Sequence, residues 1–177
     1  MSVIYLSYDG LMQQLGQSQI LPYLRQLAKG RKITLITYEK KQDLSNPERK
    51  ARFQQLTSDA GICWLPLRYH KSPGMLAKVY DLTVGFAVCA FKCLVEKTNI
   101  VHARGYMVSL IALALKQVFG VRFIFDMRGF WADEKVDGGE WSNESIIYKL
   151  TKFIEKKLIL NSDHIIILTQ AGLNELK

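Results

Sequence analysis

The feature that most constrains this chain is the alternation of short apolar runs with longer segments of helical period. The runs are rich in β-branched and aromatic side chains, and most are continuous rather than alternating with polar residues. Strands covered by helices on both faces have this pattern, whereas strands with one solvated face alternate. The sequence therefore predicts a parallel α/β sheet. Strands are expected at residues 3–8, 32–38, 62–66, 100–104, 122–126 and 164–169.

Segments of helical period separate the predicted strands, as parallel pairing requires. Gly30 and Gly120 follow the first and fourth of these segments, where C-terminal glycine caps belong. The fifth segment has the clearest amphipathic period, with aliphatic side chains on one stripe and lysines on another. Helices are expected at residues 18–29, 47–60, 75–97, 107–119 and 143–160, with a last one beginning after Thr169.

This order of elements predicts where a ligand would bind. Right-handed crossovers give an open, doubly wound sheet whose ligands lie beyond the carboxyl ends of the strands, where the strand order reverses. For the usual order that point lies between the first and fourth strands. The loops at residues 8–10, 103–105 and 126–129 should therefore meet at one crevice. No interior stretch has the composition of a linker, so we expect one Rossmann-like domain over residues 1–177.

Composition excludes several classes of protein. With 49% hydrophobic and 11% aromatic residues, a chain of 177 residues can bury a core, so disorder and low complexity are excluded. Its three cysteines form no C-x-x-C pair, so neither a disulfide framework nor a zinc site is expected. The chain does not open with a basic flank and an apolar stretch, which predicts a cytoplasmic protein.

The charge of the chain is unevenly distributed. Its formal net charge is +8, but residues 126–144 contain six acidic and two basic side chains, a local net charge of −4. The remainder therefore carries +12. A basic body with one acidic segment favours anionic partners such as a nucleotide, a phosphate or an acidic lipid surface. No helix-turn-helix, RRM or KH signature accompanies this charge, so nucleic acid is not expected.

Residues 79–95 form the most apolar stretch of the chain, with only Asp81 and Lys92 charged. The stretch is shorter than the roughly 20 uncharged residues of a membrane span. We therefore expect a helix buried in the domain, and the alternative is a helix that lies against a membrane or lipid-binding face.

The loop from residue 9 into the first helix is one candidate binding segment. Ser18 is a suitable N-cap, and Pro22 is tolerated only in a first turn, so backbone N–H groups near Gly16, Gln17 and Ser18 should point into the crevice. Such a helix start attracts phosphate. The loop contains neither G-x-G-x-x-G nor a Walker A lysine, which disfavours a simple dehydrogenase or P-loop enzyme. A loop that merely begins a helix is the alternative.

Two arginines follow predicted strand ends and are each followed by glycine. Arg104 and Arg128 could reach the crevice and bind a pair of anionic oxygens. The alternative for each arginine is a structural ion pair with Asp126 or Asp133.

The acidic segment after Arg128 could bind a sugar. Carboxylates accept hydrogen bonds from sugar hydroxyls, and aromatic rings offer flat apolar surface to a pyranose. Acid/base chemistry, a metal site and a solvated loop are the alternatives, although no D-x-D motif supports a metal. The side chains of this segment that could bind the sugar are Asp133, Glu134, Asp137, Phe130, Trp131 and Trp141.

His102, within a predicted strand, is expected to be a core residue.

Taken together, these segments resemble the N-terminal domain of family 4 glycosyltransferases, which are retaining enzymes of the GT-B fold. YDGLMQQLGQSQILPYLRQLAK is similar to the first strand, glycine loop and helix of that family. VHARGYMVSLIALALK is similar to its fourth strand and helix, and FIFDMRGFWADEKVDGG to its fifth strand and active-site loop. SDHIIILTQAG resembles the strand before the chain crosses to the second domain. The resemblance covers nearly all of the sequence.

The resemblance implies sugar transfer from a nucleotide-sugar donor to an acceptor hydroxyl, with retention of configuration and no obligatory metal or other cofactor. In that family the N-terminal domain mainly holds the acceptor, a glycan or lipid-linked sugar, while a C-terminal domain binds most of the donor and carries an E-x7-E pair. This sequence contains no such second half. The resemblance further implies two sides of a binding site. The donor-phosphate side would be formed by Gly16, Gln17, Ser18 and Arg104, and the acceptor side by Asp9, Gly10, Asp126, Trp131, Asp133, Glu134 and Asp137.

Two positions depart from the family pattern. Leu15-Gly16 stands where the family has two glycines, and Arg128 stands where many members have a histidine beside the transferred sugar. Because a guanidinium cannot act as a base near neutral pH, the role expected of Arg128 is charge stabilisation of the departing diphosphate.

The resulting expectation is the acceptor-side domain of such a transferase, inactive without its C-terminal half. It would be cytoplasmic, with peripheral contact at the inner face of an anionic membrane. Two alternatives remain. One is a free-standing nucleotide- or sugar-binding module, and the other is a membrane-surface adaptor.

Overall fold

The fold was obtained as a computed structural model, which describes residues 1–176. These residues form six strands with one or two α-helices after each, eight α-helices in all, and a π-helical turn at Gly16–Ile20 runs directly into the first α-helix. The strands are β1 (Ser2–Ser7), β2 (Lys32–Glu39), β3 (Ile62–Arg68), β4 (Ile100–Arg104), β5 (Arg122–Met127) and β6 (His164–Ile167). The helices are α1 (Leu21–Leu27), α2 (Lys41–Leu44), α3 (Pro47–Ser58), α4 (Gly74–Glu96), α5 (Tyr106–Phe119), α6 (Trp131–Asp137), α7 (Ile146–Asn161) and α8 (Gln170–Glu175).

All six strands pair in parallel in one sheet of order β3-β2-β1-β4-β5-β6. The predicted fold class is confirmed, as is the switch point between the first and fourth strands. Register at this point sets Ser7 of β1 beside Arg104 of β4, and Arg104 beside Asp126 of β5. The predicted loops therefore emerge at one edge of the sheet.

Helices cover both faces of the sheet, as the unbroken apolar strands require. A larger core beneath α4, α5 and α7 includes Phe123 and Phe125, which are fully buried. A smaller core beneath α1 and α3 includes Tyr5 and Trp64. Gly120 ends α5 in the left-handed conformation, at φ 66°, and its N–H donates to the Lys116 carbonyl, which confirms the predicted cap.

Helix α4 corrects the expectation of a buried apolar helix. Within the described residues it is the one helix long and apolar enough to span a membrane, a property that core helices share. Its buried residues form one stripe of small or polar side chains at four-residue spacing. Partly buried apolar residues such as Leu82 and Phe86 flank this stripe, and much of the remaining apolar surface faces outward. The buried residues of α4 are Ala77, Asp81, Gly85, Cys89 and Cys93.

The one buried charge of this apolar helix, Asp81, is compensated by polar partners from neighbouring loops. Its carboxylate accepts hydrogen bonds from the Tyr8 hydroxyl, 3.2 Å away, and from the His70 N–H, 3.0 Å away, while His70 Nδ1 lies 2.6 Å from the other oxygen. A buried carboxylate with these partners holds α4 against the carboxyl edge of the sheet.

Helix α7 also leaves much of its predicted apolar stripe outside. Leu158 is buried and Ile154 is partly buried against the core, but Leu150 and Phe153 are more than half exposed. The stripe lies outside because the polar residues Thr151 and Glu155 of the neighbouring face are buried instead. Glu155 accepts a hydrogen bond from the Tyr106 hydroxyl, and Thr151 donates to the Ile147 carbonyl of its own helix.

Candidate functional site

A pocket of about 290 Å³ lies at the carboxyl ends of β1, β4 and β5, at the predicted switch point. It is formed by the three loops that the sequence indicates, together with the first turns of α5 and α6. Five of the predicted site residues line it. They are Asp9, Arg104, Arg128, Trp131 and Glu134.

Two cationic side chains converge in this pocket on one neutral oxygen. Arg128 Nη2 donates to Gln19 Oε1 at 2.8 Å, and Arg104 Nη2 donates to the same oxygen. Gln19 belongs to the π-helical turn, whereas Arg104 is the last residue of β4 and Arg128 directly follows β5. Two guanidinium groups at one acceptor form a strong anion-binding arrangement, and its present acceptor is an uncharged amide.

Asp126 lies beneath the two arginines. Its side chain is only 6% exposed, with Oδ1 at 3.5 Å from Arg128 Nη1 and Oδ2 at 3.9 Å from Arg104 Nη1. Burial favours a higher pKa for Asp126, but the adjacent His102 imidazole and the two guanidinium charges outweigh burial and lower it. Arg104 and Arg128 therefore both form ion pairs with Asp126, as the structural alternative expected, although both nitrogen–oxygen distances are long.

This burial changes the interpretation of Asp126. An acceptor contact was expected, but the carboxylate lies under Arg104 and Arg128 and does not line the pocket. Its geometry is that of a counter-charge that positions the guanidinium groups. Within this cluster a single carboxylate is shared by two arginines, and the other two carboxylates at the pocket, Asp9 and Glu134, belong to its lining.

Three buried polar atoms of this cluster have no hydrogen-bond partner within residues 1–176. They are His102 Nε2, Arg104 Nε and Asp126 Oδ1. His102 is 3% exposed and packs its ring against Tyr5, with centroids 4.5 Å apart, so the predicted core position is confirmed. Unpaired buried polar atoms are rare because each costs free energy, and their concentration here is typical of a functional site.

The loop after β1 is organised by Glu39, which the sequence reading did not single out. The Leu11 N–H donates to its carboxylate at 2.6 Å, as does the Thr37 hydroxyl at 2.6 Å. A Cβ atom at Gly10 would lie 2.5 Å from this carboxylate. Gly10 is therefore a packing residue of the loop, buried against Glu39 rather than exposed to the pocket.

The expected N-cap at Ser18 is wrong. Helical structure already begins at Gln14, so Ser18 lies within it and its hydroxyl donates to the Gln14 carbonyl at 2.9 Å. The Gln17 N–H is likewise used, since it donates to the Gln13 carbonyl at 3.0 Å. Gln17 and Ser18 line a separate cleft of about 760 Å³, beside Lys40.

Gly16 has a packing role in the same turn. A Cβ there would lie 2.3 Å from the Gly10 carbonyl oxygen and 2.6 Å from the Leu11 Cα. Because these are backbone atoms, no side-chain rearrangement would relieve the contact. Gly16 therefore allows the loop to close tightly over the helix start, which aims Gln19 at the arginines.

The acidic segment contains a short helix, α6, where the sequence predicts a loop. Asp133 accepts from the Tyr148 hydroxyl and from Lys152 Nζ, both at 2.8 Å, and this holds α6 on α7. Asp133 and Asp137 line a neighbouring pocket of about 410 Å³, which Glu134 shares with the main pocket. Of the three predicted carboxylates, only Glu134 lines the main pocket with both arginines.

Aromatic rings form the other wall of the main pocket. Trp131 packs against Trp141, with centroids 5.3 Å apart, and against Tyr106 at 6.1 Å. The Tyr106 hydroxyl lies 2.6 Å from Glu155 Oε2 and 2.8 Å from the Gly129 carbonyl. Burial and the adjacent carboxylate raise the pKa of Tyr106, so the hydroxyl stays protonated and can donate. This contact supports the loop that carries Arg128.

No group of three or more histidine, cysteine, aspartate or glutamate side chains within residues 1–176 has the geometry to hold a metal ion.

Comparisons with known proteins support the fold. No protein-family model matches this sequence, and no curated protein does. Solved structures of GT-B glycosyltransferases do match its architecture. One is Phytolacca americana UGT2 complexed with UDP-2fluoro-glucose and pterostilbene, with a TM-score of 0.66 at 8% identity, over 98% of this chain and 49% of that one.

Two further structures show the same likeness. Sucrose-phosphate synthase from Thermosynechococcus elongatus superposes with a TM-score of 0.65 at 14% identity, over 99% of this chain and 44% of that one. Acinetobacter baumannii MurG gives 0.54 at 10% identity, over 95% and 41%. The chain thus spans less than half the length of each of these structures, and its fold is that of one half of a GT-B glycosyltransferase.

Proposed function

We propose that this chain is the acceptor-side domain of a retaining glycosyltransferase of the family 4 type, which transfers a sugar from a nucleotide-sugar to an acceptor hydroxyl. The convergence of Arg104 and Arg128 on one oxygen at the switch point carries the proposal. The match to one half of several GT-B glycosyltransferases supports it. Because a GT-B cleft needs both halves, the isolated chain would be inactive.

The arginines would act on the donor side of the reaction. A diphosphate oxygen would replace the neutral Gln19 amide oxygen, because an anionic acceptor binds guanidinium groups more strongly. Arg128 is about a third exposed and can follow the charge that develops as the diphosphate leaves, whereas Arg104 is buried and fixed. Neither guanidinium can exchange a proton near neutral pH, so their contribution is electrostatic. The roles expected of Gly16, Gln17 and Ser18 reduce to shaping the turn that presents Gln19.

The opposite wall of the pocket would bind the acceptor sugar. Asp9 and Glu134 offer carboxylates to its hydroxyls, and the Trp131 ring offers an apolar face. Asp133 and Asp137 would contact only an acceptor long enough to reach the neighbouring pocket. We place the complete enzyme in the cytoplasm, without an obligatory metal.

Two measurements test this proposal. The isolated chain, incubated with UDP-, GDP- and ADP-sugars and simple glycan acceptors, should release no nucleoside diphosphate at rates typical of enzymes; such turnover would contradict the inactivity. The gene should continue past Lys177 for a comparable length and encode an E-x7-E segment. If the reading frame stops there while nucleoside diphosphates still bind, a free-standing binding module is the correct interpretation.

A further inference from the structure

Another pocket, of about 490 Å³, lies at the carboxyl ends of β2 and β3, on the same edge of the sheet as the main pocket. The four charged side chains in its lining are all cationic, and each is exposed. They are Lys40, Lys41, Arg68 and Lys71. This concentration of positive charge, with no carboxylate in the described lining, fits an anion such as a phosphate monoester or diester.

An exposed apolar patch adjoins the basic pocket. The first two turns of α4 present Met75, Leu76, Val79 and Tyr80 to solvent, and each is more than half exposed. Their spacing puts them on one side of the helix. Large apolar side chains that cluster on a surface mark a site of contact with an apolar partner.

The structure holds the pocket and the patch together. His70 lines the basic pocket, and its ring contacts the Tyr80 ring edge-on at 5.3 Å. Asp81 Oδ2 accepts both from the His70 N–H and from the hydroxyl of Tyr8, which lines the main pocket. The basic and apolar features therefore keep a constant relation to each other and to the candidate active site.

We infer that this surface docks on a membrane lipid that bears a phosphate headgroup. Charge complementarity places the phosphate among Lys40, Arg68 and Lys71, and the adjacent patch of α4 enters the apolar layer. A soluble phosphate compound would satisfy the cations but would leave the four apolar side chains in water. This inference is independent of the proposed transferase reaction, since lipid docking needs neither a donor nor a second domain.

Co-sedimentation of the 177-residue chain with vesicles tests the inference. The chain should bind phosphatidylcholine vesicles that contain phosphatidic acid at low ionic strength, and bind pure phosphatidylcholine vesicles much more weakly. The triple variant K40Q/R68Q/K71Q should lower the affinity at least about tenfold. The matched control R25Q/K29Q/R52Q removes the same charge from exposed positions on and beside α1 and α3, on the opposite face of the sheet, and should lose less than about threefold.

The apolar patch is tested separately with L76S/V79S, which keeps every cation. The affinity of this variant for the vesicles should fall at least about fivefold. The concentration of inorganic phosphate that displaces half of the bound protein from the vesicles should stay as in the wild type. All substituted positions are exposed, and a thermal unfolding curve matching the wild type verifies the fold. Equal losses in the triple variant and its control would overturn the inference in favour of diffuse charge. If L76S/V79S binds the vesicles as tightly as the wild-type chain does, the inference of lipid docking is also overturned, in favour of a site for free phosphate.

Discussion

Arg128 donates a hydrogen bond to Gln19 across 2.8 Å, although 109 residues separate the two in the chain. The contact joins the loop after β5 to the π-helical turn that precedes α1. It also assigns the oxygen of an amide to the position where an anion would be bound most strongly, since Arg104 donates to the same atom.

Replacement of Gln19 should therefore strengthen anion binding. In Gln19→Ala the two guanidinium groups lose the amide oxygen that accepts from them, so a nucleoside diphosphate no longer has to displace this oxygen. We expect the affinity of the chain for UDP, GDP and ADP, measured by isothermal titration calorimetry, to rise about fivefold. Gln26→Ala, at an exposed position of α1, is the control and should leave the affinity unchanged. A weaker affinity in Gln19→Ala would show that the amide is itself a ligand contact.

Arg128→Ala should separate function from stability. Its side chain is about a third exposed and its contact with Asp126 is long, so the free energy of unfolding should fall by less than about 1 kcal/mol. Turnover of the two-domain enzyme, or diphosphate affinity of this chain, should fall at least about tenfold. The matched control is Arg122→Ala, an exposed arginine at the opposite end of β5. Equal activity in Arg128→Ala and wild type contradicts the assigned role.

Asp126 should contribute to the acid stability of the fold. Its pKa is lower in the folded protein than in the unfolded chain, so it stabilises the fold above the ordinary aspartate pKa of about 3.9. That stabilisation is lost as the pH falls through the folded value. Asp126→Asn should cost about 2 kcal/mol at pH 7, because two arginines lose their counter-charge, and progressively less in acid. Urea unfolding between neutral and acid pH measures this, and a constant difference would refute it.

Gly16→Ala should destabilise the domain even though alanine is the better helix former. The helical preference favours alanine by about 1 kcal/mol. The added Cβ would lie 2.3 Å from the Gly10 carbonyl oxygen, and overpacking against backbone costs up to about 3 kcal/mol. We expect a net loss of about 2 kcal/mol in urea unfolding, with Gln14→Ala, an exposed change two residues earlier, within about 0.5 kcal/mol of wild type. An unfolding midpoint that rises in Gly16→Ala would contradict this packing.

Several features of the site could be predicted because they follow from local pattern. The continuous β-branched runs identify the strands, and strand order then requires the loops of Asp9, Arg104 and Arg128 to meet. Other features could not. Serine is a residue type preferred at N-caps, which is why Ser18 was expected there. The start of this helix depends instead on where Gly16 can pack against Gly10, which is a contact in space.

The polar partners of the site carry no signal along the chain. Glutamine and glutamate are common on helix surfaces, and nothing local distinguishes Gln19 or Glu155 from their exposed neighbours. Their roles arise because the sheet brings β1, β4 and β5 together and α7 packs beside α5. A hydrogen bond between distant segments is decided only when both are placed.

The sequence by itself determined the fold class, the strand order and the edge of the sheet where ligands would bind, because each follows from hydrophobic period and crossover handedness. Only the tertiary structure decided which charges face the pocket. Asp126 and Asp133 are buried or paired, Arg104 and Arg128 share one neutral oxygen, and α4 turns its apolar side chains outward. Charge compensation and packing are properties of neighbours in space, and a linear pattern does not specify them.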